Sequence, residues 1–226
     1  MNEFLVCENI EKIYNESGKE TRVLKKINLK FERGSFTAVT GPSGAGKSTL
    51  LHIMGAIDAP TSGSVYLEGR NIHTLGERRL AGFRNRRIGF IFQFYHLLPE
   101  FTVLENVLLP SLVAGGGAGS RDKALELIES VGLSGHENNY CSELSGGEMQ
   151  RAAICRALIN GPDLILADEP TGNLDSVNSS HIMEILKDLN EREGKTLIIA
   201  THDRELAGKA GNVAVLVDGR LEGFEG

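Results

Sequence analysis

The chain of 226 residues is 41% hydrophobic, which is enough to bury the core of one sizeable domain. A formal net charge of −6 argues against a general nucleic-acid binder, which would normally present a basic face. The apolar runs are far shorter than the roughly 20 residues of a membrane-spanning helix, and neither a secretion signal nor a metal-type cysteine spacing is present, so we expect a soluble cytoplasmic protein.

Two strand patterns are present along the chain. The first thirty-odd residues alternate as strands around a turn at 15–19, and 64–67 with its turn at 68–69 continues that pattern, which predicts an antiparallel sheet. Elsewhere strand-like and helix-like segments alternate, which predicts parallel strands covered by crossover helices. The predicted strands are 36–40, 88–93, 164–167, 196–201 and 213–217, and the predicted helices are 47–57, 122–131, 145–160 and 176–192.

A glycine-rich turn connects the predicted strand 36–40 to the predicted helix 47–57. Its glycines allow the backbone N–H groups to surround an anion, and the positive end of the following helix points to the same place. Lys47 would neutralise the β and γ phosphates, and the Ser48 hydroxyl would ligate Mg²⁺. A solvated turn is the alternative, but the flanking strand and helix favour a phosphate-binding loop made of Gly41, Pro42, Ser43, Gly44, Ala45, Gly46, Lys47, Ser48 and Thr49.

Acidic residues follow the apolar strand 164–167. Ligands of parallel sheets collect at the carboxyl ends of the strands, so Asp168 is placed to hold Mg²⁺ and Glu169 to polarise a water against the γ-phosphate. A solvated turn that ends the strand is the alternative. His202 follows another apolar strand and reaches the same sheet edge, where it could contact the γ-phosphate or be an ordinary loop histidine.

A second helix start carries the segment Ser145, Gly146, Gly147 and Glu148. The spacing of Ser145 and Glu148 is that of a capping box, which alone explains why a helix begins here. Two glycines in the first turn weaken the helix by up to about 1 kcal/mol each, and they are useful if a ligand must approach the backbone closely. Bare N–H groups beside a serine hydroxyl form an anion site, so the chain has two phosphate-binding helix starts.

Taken together, these motifs resemble the ATP-binding cassette (ABC) family over essentially the whole chain. The loop 41–49 looks like Walker A, 164–168 with Glu169 like Walker B and its catalytic glutamate, and 144–148 like the signature motif. In that family two cassettes pair head to tail, and the signature of one closes over ATP held by Walker A of the other. The resemblance therefore implies an ATPase that works as a homodimer with ATP and Mg²⁺.

The same resemblance assigns three further residues and one short segment. Gln93 looks like the Q-loop glutamine that touches Mg²⁺, and His202 looks like the switch histidine, which replaces its interpretation as a loop residue. Tyr14 falls where the family places an aromatic residue on adenine, although a core tyrosine is the alternative. The segment Asn173, Leu174 and Asp175 resembles the D-loop of the family.

The fold that the resemblance implies is an α/β P-loop NTPase core with a mostly parallel sheet, an N-terminal antiparallel β subdomain and a helical subdomain. We expect one domain over 1–226, with the core and the antiparallel subdomain in 1–93 and 161–226. The helical subdomain would take about 94–160, and the run Gly115–Gly119 in it predicts a mobile loop.

A narrower resemblance joins 91–102, 104–107 and 168–175 to the ABC subgroup of lipoprotein-releasing and macrolide-exporting ATPases. Its members drive a paired membrane subunit whose work is done largely outside the cytoplasmic membrane. This implies an integral membrane transporter subunit as partner, a peripheral position on the cytoplasmic side of the inner membrane, and no nucleic acid. The strip 94–102 would contact that partner, with ordinary surface packing as the alternative.

Three other functions are alternatives. The chain could serve another ABC importer or exporter or a cell-division complex, or it could be a non-transport ABC ATPase that acts on nucleic acid. The nucleic-acid relatives usually carry heptad insertions or two cassettes, and neither is seen in this sequence. A kinase that uses only the phosphate loop would leave the segment 144–148 without a purpose.

Overall fold

Strands and helices alternate through the computed structural model, which describes residues 3–16 and 18–225. The strands are β1 (Glu3–Glu16), β2 (Lys19–Glu32), β3 (Phe36–Thr40), β4 (Ser62–Leu67), β5 (Arg70–Asn71), β6 (Ile88–Ile91), β7 (Leu164–Asp168), β8 (Thr196–Ala200), β9 (Asn212–Val217) and β10 (Arg220–Glu225). The helices are α1 (Lys47–Met54), α2 (Glu77–Arg87), α3 (Val103–Val113), α4 (Ser120–Ser130), α5 (Gly146–Leu158), α6 (Ser176–Glu191) and α7 (Arg204–Ala207).

The predicted antiparallel sheet has four strands in the order β2-β1-β4-β5. β2 shows why it forms, because Ile27, Leu29 and Phe31 are buried while the residues between them are exposed, as on a strand with one face in the core. The hairpin between β1 and β2 closes with Glu16 opposite Lys19. Of the turn predicted at 15–19, Ser17 lies outside the described residues.

The second sheet has six strands in the order β10-β9-β3-β8-β7-β6. The five strands from β9 to β6 run parallel, and β10 is antiparallel to β9. β7 and β8 lie in its interior, and Leu164–Ala167 and Leu197–Ala200 are fully buried on both faces, as unbroken apolar strands of a covered sheet should be. The predicted α/β class with a mostly parallel sheet is confirmed.

Several predicted boundaries were wrong by a few residues. The strand predicted at 88–93 ends at Ile91, because Phe92 and Gln93 leave the sheet toward the D-loop side. The helix predicted at 47–57 ends at Met54, where Gly55 is the C-cap and Ala56 takes a positive φ of 54°. The predicted helices 122–131, 145–160 and 176–192 run over Ser120–Ser130, Gly146–Leu158 and Ser176–Glu191.

Several elements were not predicted individually, among them α2 and β10. α2 has five arginines and no fully buried residue, so it lacks the apolar periodicity by which a helix is recognised; Leu80 and Phe83 pack against the core only in part. β10 is an edge strand, interrupted by Gly223, where its register with β9 shifts.

α3, α4 and α5 pack around their own hydrophobic cluster, which includes Val107, Ile128 and Cys155. This cluster lies within 94–160, the range predicted for a helical subdomain. Gly115–Gly119 connects α3 to α4, and its mobility remains a prediction. Across 3–16 and 18–225, every helix is too short or too polar to cross a membrane.

Candidate functional site

The topology places four loops at one edge of the six-stranded sheet. β3, β8, β7 and β6 are parallel neighbours, so their carboxyl ends lie side by side. The loop after β3 holds the predicted phosphate-binding loop, β7 ends at Asp168, and His202 and Gln93 follow β8 and β6. The carboxyl edge of such a sheet is where ligands bind.

The phosphate loop needs glycine for two different reasons. Gly44 has φ of 76° with open space around the position of a β-carbon, so there glycine provides only the left-handed backbone. Gly41 and Gly46 also have positive φ, and a β-carbon would collide with the Leu216 carbonyl at the first and with the Leu24 side chain at the second. Glycine at 41 and 46 therefore serves packing as well as loop shape.

Lys47 closes the loop from within. Its side chain is buried, and its ammonium donates hydrogen bonds to the Gly41 carbonyl at 2.9 Å and to the Pro42 carbonyl at 3.2 Å. The flexible, four-carbon side chain of lysine is thereby aimed across the mouth of the loop, where its charge can meet an anion.

Ser48 and Asp168 meet between the loop and β7. The Ser48 hydroxyl donates to Asp168 Oδ1 at 3.0 Å. Burial raises the pKa of the Asp168 carboxyl above its usual range, and the hydrogen bond from Ser48 opposes that rise. A cation bound beside Asp168 would therefore favour the ionised form of this carboxyl over the protonated form.

Glu169 and His202 form a hydrogen-bonded pair, with 2.8 Å between Glu169 Oε1 and His202 Nδ1. The Glu169 backbone has φ of 46°, a left-handed conformation that is costly for a residue with a β-carbon, and its N–H donates to the Ala200 carbonyl at 2.9 Å. The strained turn directs the carboxylate into a cavity of about 440 Å³ lined by Ser43, Lys47, Gln93, Glu169 and His202.

The second helix start has the capping box that the sequence predicts. Ser145 Oγ accepts from the Glu148 N–H at 3.4 Å, and Glu148 Oε2 accepts from the Ser145 N–H at 2.7 Å. Hydrogen bonds from the Ser145 hydroxyl and then from its N–H hold the pKa of Glu148 below its usual value. Ser145 is exposed and does not line the cavity that holds Lys47 and Glu169.

The glycines of this helix start have a packing role that sequence reasoning did not provide. A β-carbon at Gly147 would collide with the side chain of Asn178, and one at Gly146 would lie 2.9 Å from the Tyr95 hydroxyl. Gly147 is buried by this contact. Atoms of the same chain thus make a close approach to the backbone at both glycines.

The predicted Q-loop and D-loop residues contact each other. Gln93 Nε2 donates to Asn173 Oδ1 at 3.4 Å, and Asn173 Nδ2 donates to the Gln93 carbonyl at 3.1 Å. Leu174 packs against the buried hydrophobic cluster that includes Ile182 of α6. Asp175 caps α6 by accepting from the Asn178 N–H at 2.8 Å. The segment 173–175 is therefore fixed at both ends.

Tyr14 is held by its hydroxyl group. It donates to Asp58 Oδ2 at 2.7 Å, while the Lys12 ammonium lies 4.7 Å from the centre of its ring and 2.6 Å from Asp58 Oδ1. Burial raises the pKa of Tyr14 above its usual value. Stacking of this ring on adenine remains a prediction.

Sequence reasoning missed Gln150, Tyr95 and Asn178 as residues around the site. Gln150 is fully buried and donates to the Pro170 carbonyl at 2.7 Å. A signal for it was present, because Gln150 lies three residues after Gly147 and four before Ile154, on the face of α5 that the apolar spacing turns inward. Tyr95 and Asn178 carried no comparable signal.

Comparisons with known proteins agree with this geometry. The family model described as ABC transporter matches residues 24–172. The curated relatives include lipoprotein-releasing system ATP-binding proteins LolD from Pseudoalteromonas translucida and Geobacter metallireducens. The first is 45% identical over 98% of this chain and 96% of the relative, and the second is 49% identical over 98% and 99%.

Similar solved structures include a dimeric bacterial ABC transporter cassette, 41% identical, with a TM-score of 0.92 over 98% of this chain and 97% of that one. The same cassette in a post-hydrolysis dimeric state bound to ADP and Pi gives a TM-score of 0.91 at 40% identity, with the same coverage.

Proposed function

Because this chain belongs to the ABC transporter family, we propose that it binds and hydrolyses ATP as the motor subunit of a transporter. One observation carries the proposal: Lys47, Gln93, Glu169 and His202 come from four separate loops and line one cavity at the carboxyl edge of the sheet. A kinase that used the phosphate loop alone would not need this convergence.

The triphosphate of ATP binds in the loop Gly41–Thr49. Its backbone N–H groups and the N-terminus of α1 face the phosphates, and the Lys47 ammonium exchanges its bonds to the Gly41 and Pro42 carbonyls for bonds to phosphate oxygens. Tyr14 stacks on the adenine.

The residues beside the loop fit Mg²⁺. Ser48 Oγ and Asp168 Oδ1 lie 3.0 Å apart and are oxygen donors, which this ion prefers. Gln93, which lines the cavity with Lys47, is the third candidate ligand through its amide oxygen. Within 3–16 and 18–225 there is no cluster of three or more histidine, cysteine or acidic side chains that could hold a metal. With Ser48, Asp168 and Gln93 as its protein ligands, Mg²⁺ would complete its coordination with phosphate oxygens of the substrate. There it would neutralise part of the phosphate charge.

Glu169 and His202 carry the hydrolytic chemistry. The Glu169 carboxylate polarises a water toward the γ-phosphorus, and the left-handed turn at Glu169 fixes its direction. His202, bonded to the same carboxylate, orients it and contacts the γ-phosphate. Breaking the γ-phosphoryl bond removes the group that a second copy would grip.

That second copy supplies Ser145, Gly146 and Gly147. In one chain the helix start of α5 does not line the cavity of the phosphate loop, whereas the relatives solved as dimers support a closed homodimer. Charge-assisted hydrogen bonds are worth roughly 1.5–3 kcal/mol each, so several of them to one γ-phosphate can decide whether the dimer closes. Glu148 caps this helix start, and the D-loop 173–175 lies beside it.

The cassette drives an integral membrane subunit on the cytoplasmic side of the inner membrane, most specifically one that releases lipoproteins, as the names of the relatives suggest. The docking surface is the groove between α2, β6 and the end of α3, with an apolar floor of Phe90 and Phe92. Val113 lines this groove and is exposed, and Phe94 and Leu98, which follow Phe92 along the chain, are exposed as well. A patch of exposed apolar side chains marks an interaction site.

The variant Glu169→Gln tests the role of the cavity. We expect it to bind ATP with parental affinity but to lose hydrolysis, so that a nucleotide-bound dimer accumulates on a size-exclusion column. Hydrolysis should fall by about a hundredfold or more, as for removal of a general base. Turnover at the parental rate would contradict the assignment of Glu169, and parental chain without ATPase activity would contradict the proposed function.

A further inference from the structure

Gln150 is a buried polar residue that the ATPase chemistry does not use. Its side chain is fully buried in α5, its Nε2 donates to the Pro170 carbonyl at 2.7 Å, and its Oε1 is buried without a hydrogen-bond partner among the described residues. An unpaired buried carbonyl oxygen is unfavourable, so an apolar residue would be the better choice for packing alone. The hydrogen bond to the Pro170 carbonyl is thus what a glutamine at position 150 provides and an apolar residue does not.

That bond ends beside the hydrolytic residue. Pro170 follows Glu169 and has no N–H, so its carbonyl is its one backbone hydrogen-bonding group. The segment is held at two points: the Glu169 N–H donates to Ala200, and the Pro170 carbonyl accepts from Gln150. Between these points lies the strained left-handed backbone of Glu169, whose carboxylate direction depends on both.

The start of α5, which precedes Gln150 on the same helix, is wedged in place. Gly147 packs under Asn178, whose Nδ2 donates to the D-loop residue Asp175 at 2.8 Å, and Gly146 faces the Tyr95 hydroxyl two residues after Gln93. One turn of helix separates these glycines from Gln150. A shift of the helix start therefore moves the Pro170 carbonyl, and rigid packed elements transmit such small displacements.

We propose that Gln150 is a positioning residue that links the two nucleotide sites of the closed dimer. When the start of α5 grips the γ-phosphate held by the partner subunit, Gln150 moves the Pro170 carbonyl and sets the Glu169 carboxylate of its own chain for hydrolysis. This rests on the proposed function, since it needs the signature helix to receive phosphate from a second copy. The occupancy of one nucleotide site would then affect the rate of hydrolysis in the other.

The test compares ATP hydrolysis by the parent, Gln150→Met and Asn190→Leu across ATP concentrations. The Met variant keeps the length of the side chain and removes its donor. We expect kcat to fall by about fivefold or more, the lower bound of typical coupling between sites, and the Hill coefficient to fall to unity. KM should change by less than about twofold, because ATP enters the loop of its own chain without help from Gln150.

Asn190→Leu is the matched control, because Asn190 Nδ2 also donates to backbone carbonyls, those of Gly34 and Lys195, at the far end of α6. It should lower the unfolding midpoint and leave the Hill coefficient unchanged. Equal loss of cooperativity in both variants, or parental kcat and Hill coefficient in Gln150→Met, would overturn the inference.

A second variant covers the case in which Gln150→Met does not fold. Asn178→Ala frees Gly147 from the D-loop side and should lower the Hill coefficient in the same direction; an unchanged coefficient would overturn the inference. A failure of the proposed function is recognised separately, because the parent itself would then hydrolyse no ATP. A parent that hydrolyses ATP with a Hill coefficient of unity would overturn the inference alone.

Discussion

At the residue scale, the pre-formed contacts of Lys47 show how the phosphate loop is prepared for an anion. The ammonium is buried and satisfied by two carbonyls of its own loop, so it is positioned before ATP arrives. We predict that Lys47→Ala weakens ATP binding by about 10- to 150-fold, the equivalent of one charge-assisted hydrogen bond. Equilibrium binding of a fluorescent ATP analogue measures the change.

Lys187→Ala is the control for this prediction, because Lys187 is exposed and its ion pair among the described residues is with Glu191 on the same helix. It should bind ATP as the parent does. Unchanged binding by Lys47→Ala would contradict the assignment of the phosphate loop itself.

The residues proposed to bind and hydrolyse ATP could be identified from the sequence, whereas the residues that pack against the site could not. Lys47 and Asp168 stand in motifs with a fixed order of residue types, and strand order then brings Ser48 within 3.0 Å of Asp168. Tyr95 and Asn178, in contrast, meet the helix start through folded packing between distant segments. No local pattern encodes such contacts, because they depend on how α5 packs against α6 and against the loop after β6.

At the scale of single elements, the capping box of α5 makes the stability of the chain depend on pH. The folded-state pKa of Glu148 lies below its ordinary 4.5, so its contribution is present above that value and is lost as pH falls through the folded pKa. We predict that lowering the pH from neutral through this range destabilises the parent more than Glu148→Gln, which keeps a capping amide but does not titrate. The difference should be about 0.5 kcal/mol or less, given solvent screening.

Urea unfolding at a series of pH values measures this difference. Identical pH profiles for the parent and Glu148→Gln would show that the Ser145 bonds do not perturb Glu148.

Element boundaries were the part of the fold that the sequence predicted least well. Periodicity identified α1 but not its end, which Gly55 and the positive φ of Ala56 decide locally. α2 was not predicted because it lies on the surface and buries no residue fully. Its sequence, rich in arginine, therefore lacks the apolar periodicity of an amphipathic helix. The division of the chain at about 94 and 160 into core and helical subdomain stays a prediction.

At the scale of the whole molecule, the exposed position of Ser145 implies that one negative charge there can block formation of the ATP-dependent dimer. Ser145→Asp keeps a good N-cap but places a negative charge where the γ-phosphate of the neighbouring copy would bind. We predict that it abolishes the ATP-dependent dimer in a Glu169→Gln background, as measured by size-exclusion chromatography with light scattering. Ser145→Asn, a neutral cap, should retain more of the dimer, and equal dimerisation of both would contradict the trans arrangement.

The membrane partner gives the second prediction at this scale. Phe94 follows β6 and Phe224 lies on β10, so two exposed phenylalanines stand at opposite edges of the same sheet. We predict that Phe94→Ser reduces recovery of an integral membrane protein with the tagged chain from solubilised membranes, whereas Phe224→Ser does not. The loss should be about tenfold, as for truncation of a buried aromatic anchor.

Quantitative mass spectrometry of the recovered proteins measures both variants side by side. Equal recovery with Phe94→Ser and with the parent would remove the groove beside Phe94 as the docking surface.

The contact between Asn178 and Gly147 also bears on how related sequences should be interpreted. A side chain at position 147 is excluded by Asn178, which Asp175 holds in place, whether or not any nucleotide is ever bound. Selection for a foldable chain would therefore preserve this glycine even in a descendant that had ceased to turn over ATP. The presence of both glycines in a related sequence is consequently weak evidence that it hydrolyses ATP. The acidic residue at position 169 is the better indicator of that activity.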